Sequence, residues 1–197
     1  MKINIILSGV GGQGILTIAA VLDTAALEQD LFVKQAEVHG MSQRGGAVQS
    51  HVRISDKEIF SDLIPLGKAD MILSVEPMEL LRYLPYLKPD GWLITDSEPF
   101  INNKNYPEQE TLFKEIESHP SNIIVDATKI AKKIGNSKAA NMVLLGAASS
   151  LIPLSEESML KAINTLFQRK SDRIIKLNIE AFNAGKHLAD EKYSLVK

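Results

Sequence analysis

The chain contains no cysteine. Disulfides, a catalytic thiol and a cysteine-held iron–sulfur cluster are therefore excluded within it. Histidine is scarce: only His39, His51, His119 and His187 occur, and none forms an H-x-H or H-E-x-x-H pattern. No metal site is expected on that basis. Charge of one sign is also lacking, because 22 basic side chains are matched by 24 acidic ones, a formal net charge of -2. That balance gives no broad electrostatic footprint for nucleic acid or an anionic membrane. No stretch reaches the roughly 18 consecutive apolar residues of a membrane-spanning helix. The amino terminus has no basic region followed by an apolar signal core, so a cytoplasmic protein is expected.

What is present is ordinary for a globular chain: 197 residues, 45% apolar and 23% charged. With no repeat and no strong linker, one domain over residues 1–197 is expected. Residues 2–8, KINIILS, read as an apolar strand. Ile15, Leu16, Ile18, Ala19, Leu22, Ala26 and Leu27 then recur at helical spacing, and residues 31–36 read as a second strand. Strand, glycine turn, helix, strand is the opening of a parallel α/β fold. Residues 37–47 are polar and glycine-bearing and read as a loop. Val48, Ser50, Val52 and Ile54 alternate with Gln49, His51 and Arg53, the period of a half-solvated strand, which places His51 on the polar face as a solvated or interfacial histidine. A turn at residues 55–57 and a short strand at Ile59 would complete a hairpin.

Further strands are expected at residues 69–75, 92–95 and 123–126, giving about five in the sheet. Pro85 interrupts the helical pattern of Leu80, Leu81, Leu84 and Leu87, and residues 89–91 read as a turn. The last third is helical, with Ser155 as an N-cap ahead of Glu156 and Glu157. The tail after Leu188 is expected to fray or to serve assembly. The fold class is three-layer α/β/α, a Rossmann-like sheet domain with an inserted hairpin and a helical C-terminal third.

Two segments carry the chemistry. Gly9, Gly11 and Gly14 satisfy G-x-G-x-x-G, with Gly12 and Gln13 between them. Glycines allow close approach of a ligand or another strand, and the following helix aims unpaired amides at the turn. Glu37 lies near where a dinucleotide fold places its ribose-binding acid. Three readings stay open: phosphate or nucleotide binding, tight packing alone, and contact with a partner's active site. No Walker lysine follows, which argues against an ATPase or GTPase.

The second segment, EVHGMSQRGG, crowds Glu37, His39, Ser42, Gln43 and Arg44 beside Gly45 and Gly46. Arg44 suits a carboxylate or phosphate, and Ser42 and Gln43 suit orientation. The nucleophile elbow G-x-S-x-G is absent, so no serine hydrolase is expected. These groups suit binding better than covalent chemistry, and no catalytic residue is assigned.

Read together, GVGGQG at residues 9–14, EVHGMSQRGGAVQSHVRIS at 37–55, NMVLLGA at 141–147 and N-x-x-A-F-x-x-G at 178–185 resemble the gamma-type domain of the pyruvate/2-oxoacid:ferredoxin oxidoreductases. Within that family the likeness is greatest to the indolepyruvate-oxidising branch. The resemblance implies oxidative decarboxylation of arylpyruvates with coenzyme A, giving arylacetyl-CoA and carbon dioxide, with electrons passed to ferredoxin. It implies a large alpha subunit holding thiamine diphosphate and iron–sulfur clusters, and no cofactor on this chain alone. It carries Gly9, Gly11, Gly12, Gln13 and Gly14 to a loop facing the active-site side of the complex. Ser42, Gln43, Arg44, Gly45 and Gly46 become a neighbouring loop near the large subunit, coenzyme A or substrate. Asn141, Gly146, Asn178 and Gly185 are expected to be structural, as buried amides and close-packing glycines. The competing readings are an independent NAD(P)-binding dehydrogenase and a non-enzymatic α/β interaction module.

Overall fold

A computed structural model of the chain describes residues 1–39, 45–101 and 105–194. Strand β1 (Lys2–Val10) is followed by helix α1 (Ile15–Leu27), β2 (Phe32–His39), β3 (Ala47–Ser55) and β4 (Ala69–Ser74). Then come α2 (Pro77–Arg82), β5 (Leu87–Asp96), α3 (Gln109–Ser118) and β6 (Asn122–Val125). Four helices close the chain: α4 (Ala127–Ile134), α5 (Ala140–Ser149), α6 (Glu156–Phe167) and α7 (Asp172–Ser194). The sheet has six strands in the order β2-β3-β1-β4-β5-β6. β1 pairs parallel with β4 but antiparallel with β3, so the sheet is mixed.

The strand alternation builds two cores. Ile5, Leu7, Met71, Leu73 and Ile94 face a layer made by α1 and α4 to α7. Ile6, Ile72 and Leu93 face the opposite way, onto Leu80 of α2, Ile116 of α3 and Ile64. β1 is therefore covered on both sides, which is why Ile5, Ile6 and Leu7 are apolar without alternation. Every residue of α5 is buried, as expected of a helix that is apolar all round. It crosses α7 at two glycines. A Cβ on Gly146 would stand 1.9 Å from the Phe182 carbonyl oxygen, and one on Gly185 would stand 1.8 Å from that of Val143. Only hydrogen fits at either place.

The structure corrects several expectations. Glu37 and Val38 belong to β2 rather than to a loop, because β3 extends a hydrogen-bonded ladder to them. No strand forms at Ile59, so the antiparallel insertion is made by β2 and β3. His51 is not solvated: it is 2% exposed, and its Nδ1 accepts the Ile64 amide at 3.0 Å. Residues 56–68 lie over it, with Arg53 donating to the carbonyls of Ser61 (2.7 Å) and Leu63 (3.1 Å). The turn at residues 89–91 is absorbed into β5, whose ladder slips between the pairs Ala69–Leu87 and Met71–Trp92. Helix α7 runs on to Ser194, anchored by the buried Ala189. The Ser155 cap is as expected, its side chain accepting the Ser158 amide at 3.1 Å.

Candidate functional site

The glycine turn leaves the C-terminal end of β1 and enters α1. Gln13 closes it on itself: its amide donates to the Val10 carbonyl (3.1 Å) and its Oε1 accepts the Val10 amide (2.7 Å). The side-chain oxygen is thus used inside the turn, and the Nε2 group is what Gln13 can present outward. Gly14 caps α1 in the left-handed conformation, φ 80°, without a side-chain cap or an acidic residue in the first turn. Among the described residues, the amides of Gly12, Gly14, Ile15 and Leu16 meet no protein acceptor. They concentrate the positive end of the helix at the turn.

The second glycine segment meets the first directly. Gly11 donates to the Gly46 carbonyl (2.9 Å), and Gly45 donates to the Gly11 carbonyl (3.4 Å). The register Val10–Ala47 brings them there, as the last pair of the β1–β3 ladder. Ser42, Gln43 and Arg44 lie outside the described residues.

Two clefts flank the joined loops. One, of about 520 Å³, is walled by Gly11, Gly12, Ile15, Leu16, Glu37 and Val48. It is apolar, with a single carboxylate. The other, of about 640 Å³, contains Gly12, Gln13, Thr17, Thr128, Lys138 and Lys170. Val75, Phe167 and Ile174 make part of its wall apolar, its charged side chains are the two lysines, and α1, α4 and α5 all begin nearby. No motif in the sequence marks Lys138 or Lys170, because they come from separate elements and only the fold assembles them.

Two buried carboxylates end the neighbouring strands. Asp96, 1% exposed, accepts the amides of Ala127 and Thr128 at 3.0 Å each and so caps α4. Glu76, fully buried, caps α2 through the Glu79 amide (2.8 Å) and takes the Tyr106 hydroxyl proton donor. Burial pushes both carboxyls above their usual range, against the pull of those hydrogen bonds. Each is committed to the chain's own backbone, which is a structural use. Among the described residues there is no cluster of three or more metal-ligating side chains.

The arrangement defines a mixed α/β domain with a glycine turn braced by a second glycine loop, and it departs from a dinucleotide fold. In that fold the ribose-binding acid closes the strand next to β1. Here β3 occupies that place, and Glu37 on β2 is displaced to about 10 Å from β1, two strand spacings. The chain belongs to the pyruvate ferredoxin/flavodoxin oxidoreductase family, whose model matches residues 4–188.

Among curated relatives, the indolepyruvate oxidoreductase subunit IorB of Thermococcus kodakarensis is 40% identical over 202 residues, covering 98% of each chain. The 2-oxoglutarate synthase subunit KorC of Methanothermobacter marburgensis is 32% identical over 200 residues, covering 97% of this chain and 98% of that one. Of solved structures, the keto/oxoacid ferredoxin oxidoreductase gamma subunit of Geobacter sulfurreducens superposes with a TM-score of 0.68 at 28% identity, covering 95% of this chain and 98% of that one. The 2-oxoglutarate:ferredoxin oxidoreductase of Magnetococcus marinus shares the fold, with a TM-score of 0.79 at 23% identity. The match covers 96% of this chain and 31% of that longer one.

Proposed function

We propose that the chain is the small subunit of an indolepyruvate:ferredoxin oxidoreductase and is active only with a large alpha subunit. The observation that carries this is the end-to-end match at 40% identity to an IorB subunit. In this reading residues 1–197 act as one gamma-type domain in the cytoplasm. The large subunit supplies thiamine diphosphate and the iron–sulfur clusters and passes electrons to ferredoxin. Bound thiamine diphosphate supplies the carbanion chemistry of decarboxylation. This chain's residues bind and orient. Gly9, Gly11, Gly12, Gln13 and Gly14, with Glu37, Gly45 and Gly46, form the face turned to that chemistry. Ser42, Gln43 and Arg44 are taken in the same reading to bind the large subunit, coenzyme A or substrate. The cleft with Lys138 and Lys170 suits the phosphates of coenzyme A, since two ammonium groups and nearby helix N-termini favour anions. The apolar cleft suits a neighbouring surface or an aryl group.

Anaerobic affinity purification from the native cell tests the assignment, followed by turnover of indolepyruvate with coenzyme A and ferredoxin. The chain should bring down a much larger, cysteine-rich protein carrying thiamine diphosphate. Alone it should be inactive. Turnover by this chain alone, or a large subunit equally active without it, would refute the proposal.

A further inference from the structure

Asn141 opens α5, far from the glycine turn in sequence, yet its side-chain Nδ2 donates to the Gly14 carbonyl at 3.0 Å. Its Oδ1 accepts the Met142 amide at 2.9 Å. The side chain is thus held at both ends, and the residue is only 5% exposed. The same Gly14 carbonyl accepts the amides of Thr17 (3.0 Å) and Ile18 (3.3 Å), which start α1. One oxygen therefore joins the turn, the first turn of α1 and the start of α5. A Cβ at Gly14 would lie 2.5 Å from Asn141 Nδ2, so the two residues have no slack between them. At its other end the turn is tied to Gly46 through Gly11.

We infer that Asn141 is a positioning residue: it fixes the glycine turn at the face where this chain meets the reactants or the large subunit. Asn141 also stands in the wall of the cleft with Lys138 and Lys170, and the role inferred for it is to hold the turn rather than to bind. It sets where the Gly12 and Gln13 groups point, and α5 in turn is located by its glycine contact with α7. The inference rests on the proposed function for its readout, although the bond itself does not.

The test uses the two-subunit enzyme. Asn141→Asp keeps the shape and the acceptor for Met142 but replaces the donor to Gly14 with an oxygen. When ionised, that oxygen repels the Gly14 carbonyl; when protonated, its O–H can donate there again. Asn141→Ala removes both bonds, and Leu145→Ala serves as a control because Leu145 is a fully buried apolar side chain on the same helix. The readouts are KM for coenzyme A, the concentration of this chain that half-saturates turnover, and the melting temperature.

At pH 8, Asn141→Asp and Asn141→Ala should raise KM or the half-saturating concentration about tenfold or more. Leu145→Ala should lower the melting temperature as much and move neither. The Asn141→Asp defect should shrink as pH falls and its carboxyl protonates, while that of Asn141→Ala stays. A pH-independent Asn141→Asp defect, or KM and half-saturation within twofold of wild type for both variants, overturns the inference. Wild-type chain that gives no turnover with its partner overturns instead the proposed function, and the two failures are distinct.

Discussion

Replacing Gly185 by alanine should drive α5 and α7 apart. The added Cβ would sit 1.8 Å from the Val143 carbonyl oxygen and 2.7 Å from its carbon. Both partners are backbone, so no rotamer change relieves the contact. Restoring an ordinary separation of about 3.4 Å needs the helices to part by about 1.6 Å. Alanine gains about 1 kcal/mol of helix propensity over glycine. Against this stands an overpacking cost of roughly 1–3 kcal/mol or more, together with voids opened around Met142, Val143 and Phe182, all fully buried. A net loss of about 2 kcal/mol is expected, which is about 4–8 °C in Tm for a chain of this size. Gly146→Ala should cost a similar amount, since its Cβ meets the Phe182 carbonyl at 1.9 Å. One separation of the helices accommodates both methyl groups, so the double variant should lose about 1–2 kcal/mol less than the sum of the singles. Urea and thermal unfolding followed by circular dichroism measure all three. A neutral or stabilised single variant, or strict additivity in the double, refutes the reasoning.

Three further outcomes follow from buried titratable groups. Burial raises the Asp23 carboxyl to about 6, and its Oδ1 finds no hydrogen-bond partner among the described residues. Its folded pKa is above the unfolded value, so its favourable contribution is complete below about pH 4 and is lost as pH rises through 6. Asp23→Asn should gain about 2–3 kcal/mol over wild type at pH 8 relative to pH 4, and a pH-independent difference in unfolding free energy would contradict this. Burial instead lowers the His51 pKa, so its contribution is present above about 6.5 and is lost as pH falls. Hydrogen exchange at the Ile64 amide, which donates to His51 Nδ1, should speed up in mild acid beyond its intrinsic rate; unchanged protection counts against the bond. Glu76→Gln must give up one of three donors, Glu79 N, Phe100 N or Tyr106 OH. It should cost roughly 1–3 kcal/mol and expose residues 97–101 and 105–108 to limited proteolysis, and an unaltered cleavage pattern would argue otherwise.

The parts of the fold that were legible in the sequence are those set by local periodicity. β1, α1 and the Ser155 cap follow from apolar spacing and capping chemistry. What misled was pairing at a distance. Alternation in β3 is consistent with solvent on one face, and nothing local reveals that residues 56–68 fold back over His51. Glu37 and Val38 look like loop residues because they open a segment that is polar and glycine-bearing as a whole, yet a partner ladder from β3 fixes them as strand. Both glycine segments of the candidate site stand out in the sequence, and their mutual hydrogen bonds came only with the register. Lys138 and Lys170 carried no signal, since single lysines on separate elements form no pattern.

The insertion of β3 also gives the glycine turn different surroundings from those of its dinucleotide-binding counterpart. The first residues of the inserted strand follow Gly45 and Gly46, which bond to Gly11. The second loop thereby stands beside the turn, where a dinucleotide fold leaves room for a ribose. Asn141 fastens the Gly14 end, so the turn is held at both ends and Gly12 is left as its open centre. A Cβ at Gly12 meets nothing within 4 Å, although its φ of 103° makes any side chain strained. Gly12→Ala should therefore cost about 1 kcal/mol in folding, the usual scale for such backbone strain. Its larger effect should fall on whatever closes over the turn. If the joined loops meet the large subunit or coenzyme A, reconstituted turnover should fall at least tenfold while the variant chain stays folded. A variant that loses only stability, with half-saturation and KM unchanged, would mean that the turn faces open solvent in the assembly.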